Sequence, residues 1–288
     1  MAHSALATPR ATIAVLQRHG LATKKSLGQH FLVDDNIVGR ILALARLNGS
    51  ERVLEVGPGI GTLTVALCAA AGSVVAVERD RDLLGVLAET TAACTNLRVI
   101  NADALRLDPV DLVGEDGPPT ALVANLPYSV AATLVLRVFE SVPSIASATV
   151  MVQAEVADRM TASPATKAYG AYTVKLALRA RAVGRFNVGS GCFLPPPRVD
   201  SAVLRLDRLG AGLQSDEVAR ASRVADAAFS QRRKTIRNSL SAGLGVPASS
   251  IEGALRSAGI EPGIRAEALV PEMFVRLGAE LHGQGLLP

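Results

Sequence analysis

Four polar residues recur along this chain at nearly one spacing. Glu55, Glu78, Asp103 and Asn125 are 23, 25 and 22 residues apart, and each sits at or just after the end of a short apolar run. The runs span 52–56, 73–78, 97–101 and 120–125, and they have the length and β-branched content of buried strands. Helical patterns lie between them near 61–70 and 80–91, with Asp80 at the second helix's cap. Each interval is therefore about one strand-plus-helix unit, and repeated units of this kind imply a doubly wound, mostly parallel sheet. The carboxyl ends of such strands lie along one edge, where ligands bind. The four polar side chains are thus expected to converge on one crevice.

The same reading extends in both directions. Asp34 is placed to cap a helix through Ile37, Ile41, Leu42 and Ala45. Beyond Asn125 the pattern predicts a helix near 131–140, a strand at 147–153, a helix near 170–180 and strands at 182–188 and 200–206. After Asp207 the alternation stops. A linker, RLGAGLQSDE, leads to four helix-period segments at 216–229, 231–242, 249–258 and 266–280, separated by GLGVP and GIEPG. The expected organisation is a flexible segment over 1–22, a Rossmann-like α/β domain over 23–207 and a small all-helical domain over 208–288. A short basic stretch with Arg18, His19, Lys24 and Lys25 joins the first two.

Several classes are excluded. The 22 residues from Val56 to Val77 carry no charge and could span a bilayer by length, but five of them are Gly or Pro and the apolar residues fall into two strand-sized blocks. No membrane segment is expected. Cys68, Cys94 and Cys192 are odd in number and lack metal-ligand spacing, so neither a disulfide framework nor a metal site is expected. The N-terminus lacks the features of a secretory signal, and a cytoplasmic location follows. A net charge of +4 permits an anionic partner without requiring one.

The loop after the first strand reads E-V-G-P-G-I-G, with Gly57, Gly59 and Gly61. Glycines let a backbone turn tightly and approach a ligand. A dinucleotide site wants G-x-G-x-x-G, and here the third glycine comes one residue early. Glu55 also sets a carboxylate beside the loop, where it would repel a pyrophosphate. S-adenosylmethionine has no phosphate and carries an ammonium and a sulfonium, so it suits an acid-flanked loop better. Glu78 is placed to accept from ribose hydroxyls, at roughly 1.5–3 kcal/mol per charged hydrogen bond. Asp103 is placed to accept from the cofactor's adenine amino group.

Asn125-Leu126-Pro127-Tyr128 is the sharpest motif. An exocyclic amine is a poor nucleophile because its lone pair is delocalised into the ring. An Asn carbonyl and a neighbouring backbone carbonyl can both accept from the NH₂ and turn its lone pair outward. Pro127 fixes the local φ, and Tyr128 offers a face for a base, worth about 1–3 kcal/mol of stacking. Extruding a base costs a few kcal/mol, so a second plate is expected. Phe193, in the stiff segment CFLPPPRVDSAV, is the candidate.

With these motifs in view, the chain resembles the KsgA/RsmA small-subunit rRNA adenine dimethyltransferases, which are related to Dim-type and Erm enzymes. The matching stretches are KKSLGQHFLVD, LEVGPGIGTLT, VERD, NADAL, NLPYS, MVQAEVADRM with KAYGAYTV, CFLPPPRVDSAVLRL and FSQRRKTIRNSL, covering nearly everything after residue 23. The resemblance implies a class I methyltransferase domain. It implies cofactor contacts at His30, Leu32, Gly57, Glu78, Asp103 and Asn125, to which the loop reading adds Gly59. Target-base contacts are implied at Asn125, Leu126, Pro127, Tyr128 and Phe193. The implied product is N6,N6-dimethyladenosine at two adjacent adenosines near the 3′ end of 16S rRNA, and the implied partner is the small ribosomal subunit, met by a monomer. His30 and Ser129 depart from the family pattern, where many members have Asn.

Arg232, Arg233, Lys234 and Arg237 form a basic cluster without an intervening acid. On a helix, Arg233 and Arg237 would be four apart and mutually destabilising by roughly 0.2–0.5 kcal/mol. Phosphate is the natural compensation, and RNA the expected ligand. Three rivals stand beside this reading. A nicotinamide dehydrogenase is opposed by the glycine spacing and Glu55. An Erm-like large-subunit enzyme would share the catalytic motifs. A non-catalytic assembly or transcription factor would tolerate loss of Asn125.

Overall fold

The computed structural model describes residues 3–22, 29–210 and 212–287. Lys24, Lys25 and the KKSLG half of the first motif lie outside the described residues. The chain forms two compact units, one of Met1–Ala157 with Ala182–Arg208 and one of Asp158–Arg181 with Leu209–Pro288.

The first unit is built on a seven-stranded sheet in the order β4-β3-β2-β5-β6-β9-β7. Its strands are β2 (Arg52–Val56), β3 (Ser73–Glu78), β4 (Leu97–Asn101), β5 (Ala121–Asn125), β6 (Ser147–Gln153), β7 (Ala180–Val188) and β9 (Ser201–Arg208). The run from β4 through β6 is parallel, and β9 inserts antiparallel against β6. The chain winds outward from β2 to β4, then returns to the other side of β2 with β5. That reversal is the switch point at which an open sheet leaves a crevice beyond its carboxyl ends. The helices α2 (Asp35–Ala45), α3 (Thr62–Ala70), α4 (Asp82–Thr90) and α5 (Ala131–Ser141) connect or flank the strands. Asp34 caps α2 as expected, its carboxylate accepting from Asn36 N at 2.9 Å. Val38, Ile41, Leu67, Val74, Val123 and Met151 are buried together in one core cluster.

Residues 3–19 depart from the expected flexible segment. Thr8 caps helix α1 (Pro9–Arg18), and Pro9 takes its first position, where a missing N–H costs nothing. The apolar side of α1 explains its order: Val15 and Leu16 are buried with Phe31, Ile60, Leu83 and Val86. Polar ties complete the attachment. Arg18 and His19 meet Glu89 at 2.5 and 2.7 Å, and His3 and Ser4 donate backbone N–H groups to Asp35. A two-stranded ribbon of β1 (Phe31–Leu32) and β8 (Phe193–Leu194) was also absent from the sequence reading; Phe31 pairs with Leu194 and Leu32 with Phe193.

The second unit includes helices α7 (Ala171–Ala177), α8 (Ser215–Phe229), α9 (Ile236–Leu244), α10 (Ala248–Ser257) and α11 (Pro271–Gly283). Residues 158–181 belong to it, although a single boundary at 207 was expected. Tyr169, Val174 and Leu178 explain the difference, because they are buried among Val224, Ala225 and Phe274. The Tyr169 hydroxyl also donates to Leu269 O at 2.7 Å.

Candidate active site

The recurrence read from the sequence is realised at one cleft. Glu55, Glu78, Asp103 and Asn125 all line it, with the glycine loop and the Asn125–Tyr128 turn. The cleft encloses about 1230 Å³ of empty space, open solvent at its mouth included.

The glycine loop turns at positive φ, +73° at Gly57 and +62° at Gly59, where a side chain would be strained. Gly57 is also crowded: a Cβ there would lie 3.3 Å from Pro127 Cδ. The loop that follows β2 therefore lies close against the turn that follows β5. Gly57 N donates to Val77 O at 3.0 Å, fixing the loop to β3.

The acids differ in environment. Glu55 is 1% exposed, and its Oε2 has no hydrogen-bond partner. Burial pushes its carboxyl up to about 8, with the Thr64 hydroxyl opposing the shift and the Glu78 charge adding to it. Glu78 is also buried and raised by that burial, but its oxygens are engaged: Oε1 accepts from Asp80 N at 2.7 Å and Oε2 from Gly59 N at 3.2 Å. The two oxygens keep further lone pairs for a ligand. Asp103 is partly exposed, accepts from Leu105 N at 3.0 Å and lies 3.8 Å from the Arg79 guanidinium.

Around the NLPY turn the polar groups are sorted. Asn125 Nδ2 donates to His30 O at 3.4 Å, and no donor reaches Asn125 Oδ1 among the described residues. The Pro127 carbonyl is taken by Val130 N at 3.1 Å. The Leu126 carbonyl accepts no backbone N–H among the described residues. Two acceptors, Asn125 Oδ1 and Leu126 O, are thus free at adjacent positions of the turn. The Tyr128 hydroxyl shares a 2.7 Å hydrogen bond with Ser201, and burial raises its pKa.

The other predicted site residues divide. His30 and Leu32 line the cleft. Phe193 does not: it is 3% exposed, paired with Leu32 in the β1–β8 ribbon and packed into the core. Its alternation with Leu194 on that ribbon turns the ring inward. The sequence reading missed Ser201, Gln29 and Asp80. Gln29 Nε2 donates to Asp80 Oδ2 at 2.8 Å. The signal for Ser201 was its place at the start of the strand predicted over 200–206.

The basic cluster is only partly as expected. Helix α9 begins at Ile236, after the extended residue Thr235, so Arg232, Arg233 and Lys234 lie on the turn before it. The like-charge helical pair of Arg233 and Arg237 does not exist. Arg237 pairs with Glu252 at 3.0 Å, and Arg232 donates to Lys167 O at 3.1 Å. Arg233 and Lys234 are exposed, with no ion pair among the described residues. Those residues also hold no cluster of metal-ligating side chains and no helix long and apolar enough to cross a membrane.

The family described as Ribosomal RNA adenine dimethylase matches residues 20–280. The chain belongs to that family. It is an S-adenosylmethionine-dependent adenine dimethyltransferase fold and activity class. Among curated relatives, "Ribosomal RNA small subunit methyltransferase A" of Rhodococcus opacus is 44% identical, over 96% of this chain and 95% of its own. The protein of the same name from Magnetococcus marinus is 41% identical over 91% and 93%. Among solved structures, the 23S rRNA methyltransferase ErmE superposes with a TM-score of 0.65 at 30% identity, over 88% of this chain and 99% of that one. A dimethyladenosine transferase from Plasmodium falciparum superposes at 0.77 with 24% identity, over 90% and 99%, and shows the shared fold. The cleft fits the family's cofactor. A buried carboxylate oxygen without a partner, beside a glycine loop with no room for side chains, suits a cation and would not suit a pyrophosphate.

Proposed function

We propose that this protein transfers methyl groups from S-adenosylmethionine to N6 of two adjacent adenosines near the 3′ end of 16S rRNA, on the small ribosomal subunit, as a cytoplasmic monomer. The observation that carries the reading is the contact between Gly57 and Pro127, because it sets the two free acceptors of the NLPY turn beside the cofactor loop. Glu55, Gly57, Gly59, Glu78 and Asp103, with His30 and Leu32, would hold the cofactor. When bound, it supplies an electrophilic methyl group on a sulfonium.

The protein's own groups do the rest by positioning. Asn125 Oδ1 and Leu126 O accept from the adenine NH₂ and favour a pyramidal nitrogen, so its lone pair is withdrawn from the ring π system and localised on N6. The donation from Asn125 Nδ2 to His30 O holds the amide in the orientation that presents Oδ1. Tyr128, tied to Ser201, stacks the extruded base. No strong base is required, because the nitrogen becomes acidic once it bears the methyl and its proton passes to solvent at the open cleft. Catalysis is then orientation and pre-set electrostatics. Arg233 and Lys234 are the phosphate contacts this reading favours, with Arg232 and Arg237 contributing beyond their internal partners.

Purified protein and isotopically labelled S-adenosylmethionine, added to small subunits from a strain lacking the modification, test the assignment. Mass spectrometry should find labelled N6,N6-dimethyladenosine in 16S rRNA, and primer extension should stop at two adjacent positions. In a parallel reaction with large subunits, label in 23S rRNA would favour the ErmE-like alternative. Asn125→Ala should abolish transfer while RNA binding persists.

A further inference from the structure

The ring of Tyr128 is not bare. The His30 imidazole stacks on it, with centroids 5.6 Å apart and planes 24° from parallel. A base sandwiched between two rings needs roughly twice the usual stacking distance, about 7 Å. The base that Tyr128 would receive therefore does not fit between the two rings as they stand. Both residues line the same cleft, so this stack lies where an incoming base must compete.

We propose that His30 is a stand-in for the target adenine: its imidazole covers the receiving face of Tyr128 until RNA arrives, and then swings away. The proposal rests on the adenine methyltransferase reading above and deepens it. An imidazole is chemically the five-membered half of a purine, a flat ring with one N–H donor and one bare nitrogen. His30 Nδ1 donates to Pro195 O at 2.7 Å, since a carbonyl can only accept. That bond holds the ring over Tyr128.

The geometry also says what can move. The His30 carbonyl accepts from Asn125, and the next residue, Phe31, pairs with Leu194. Backbone on the C-terminal side of His30 is thus fixed, and rotation about the side-chain bonds is the route out that leaves it in place. The Tyr128 hydroxyl stays on Ser201 while this happens. One hydrogen bond and one stack are exchanged for the stack of the adenine, so His30 raises the threshold a base must meet. Bases that stack weakly or fail to engage Asn125 and Leu126 would not meet it. His30 then acts as a specificity-determining residue rather than as a catalytic one.

The experiment titrates adenosine into the full-length protein and follows the His30 ring protons by NMR, assigned by comparison with His30→Asn. In parallel it measures adenosine affinity, S-adenosylmethionine affinity, and kcat and KM on unmodified small subunits, for the wild type, His30→Asn and His30→Phe. Adenosine should shift the His30 resonances out of the Tyr128 ring current. His30→Asn removes the ring and should bind adenosine about 3- to 10-fold more tightly, with a lower KM for the subunits. His30→Phe keeps a ring and should not gain. The proposal is overturned if adenosine binds without moving His30, if it binds neither protein, or if His30→Asn loses cofactor affinity with no gain for adenosine. The binding and NMR arms decide it even without methyl transfer, whereas failure of the wild type to methylate any subunit counts against the functional reading alone.

Discussion

Replacing Gly57 with alanine probes the joint between the two motifs. The position has φ +73°, and an L residue in this region costs about 1–2 kcal/mol. The new Cβ would also lie 3.3 Å from Pro127 Cδ and 3.4 Å from Cγ, so one of the two must give by a few tenths of an ångström. Pro127 is ring-locked and followed by a hydrogen-bonded turn, so the shift would fall on the acceptors at Asn125 and Leu126. Gly20→Ala provides the comparison, because Gly20 has φ +63° and nothing within 4 Å of its Cβ position. It carries the strain without the contact. Both variants should melt about 2–8 °C lower, at about 2–4 °C per kcal/mol for a domain of this size. Only Gly57→Ala should lose catalysis, by severalfold to about 10-fold in kcat/KM at a temperature where both are folded, a part of the roughly 10²-fold that a 1 Å misplacement costs. Equal activity in the two variants would refute the claim that the glycine loop sets the position of the NLPY turn.

Three further outcomes follow from single residues. Glu55 keeps its proton to about pH 8 in the folded protein, against 4.5 for an ordinary glutamate. The folded state therefore binds more protons between those values, and stability should fall as pH rises from about 4.5 to 8. Glu55→Gln should flatten that slope in melts of the ligand-free protein. Binding a cationic cofactor should drive the proton off, read at pH 7 by calorimetry in buffers of different ionisation enthalpy; heats independent of buffer would contradict it. Arg233→Ala should flatten the salt dependence of log affinity for RNA by about 0.7–0.9, while Arg237→Ala should change it less because Arg237 already pairs with Glu252. Leu16→Ala should cost about 2–5 kcal/mol, since Leu16 is buried against Ile60 and Leu83. A neutral result in chemical denaturation would return α1 to the status of a loose tail.

The strands of the first unit were legible because each is an apolar block ended by a polar residue. β2, β3, β4 and β6 fall on their predicted bounds, and β5 and β9 differ by a residue or two. Burial on both faces makes β2, β3, β5 and β6 insensitive to their surroundings, whereas β4, expected to be buried, is an edge strand and largely exposed. Helix α1 was not legible, because its buried side is narrow and its partners, Ile60, Leu83 and Val86, come 40 or more residues later. Residues 158–181 failed for the same reason: Tyr169 and Val174 read as one more βα segment until Phe274 and Val224 are seen around them. The strand-end residues Glu55, Glu78, Asp103 and Asn125 line the cleft, and of the two site residues on the ribbon Leu32 lines it while Phe193 does not. Phe193 was expected as a plate from its stiff proline-rich segment and from the family resemblance, and its pairing with Leu32 puts it in the core instead. The basic cluster was read as helix because nothing in QRRKT breaks the helical pattern; the extended backbone at Thr235 does.

The electrostatics of the cleft make the choice of cofactor a physical consequence. Glu55, Glu78 and Asp80 are all buried, at 1%, 6% and 8% exposure, and Asp103 stands at the rim. Burial raises the pKa of Glu55 and Glu78, and the charge of a neighbouring carboxylate adds to it. Such a cluster is stabilised by a positive ligand and destabilised by a negative one. Arg79, the one guanidinium among the described residues that line the cleft, is directed to Asp103 at 3.8 Å and does not compensate the buried acids. A dinucleotide would bring a pyrophosphate against Glu55 and Glu78, and among the described residues that line the cleft the one Arg or Lys, Arg79, faces Asp103. The same fold that elsewhere suits phosphates at a glycine loop is here made selective for a cation by two strand-end glutamates, and replacing both with glutamine should narrow the discrimination between S-adenosylmethionine and its uncharged thioether product.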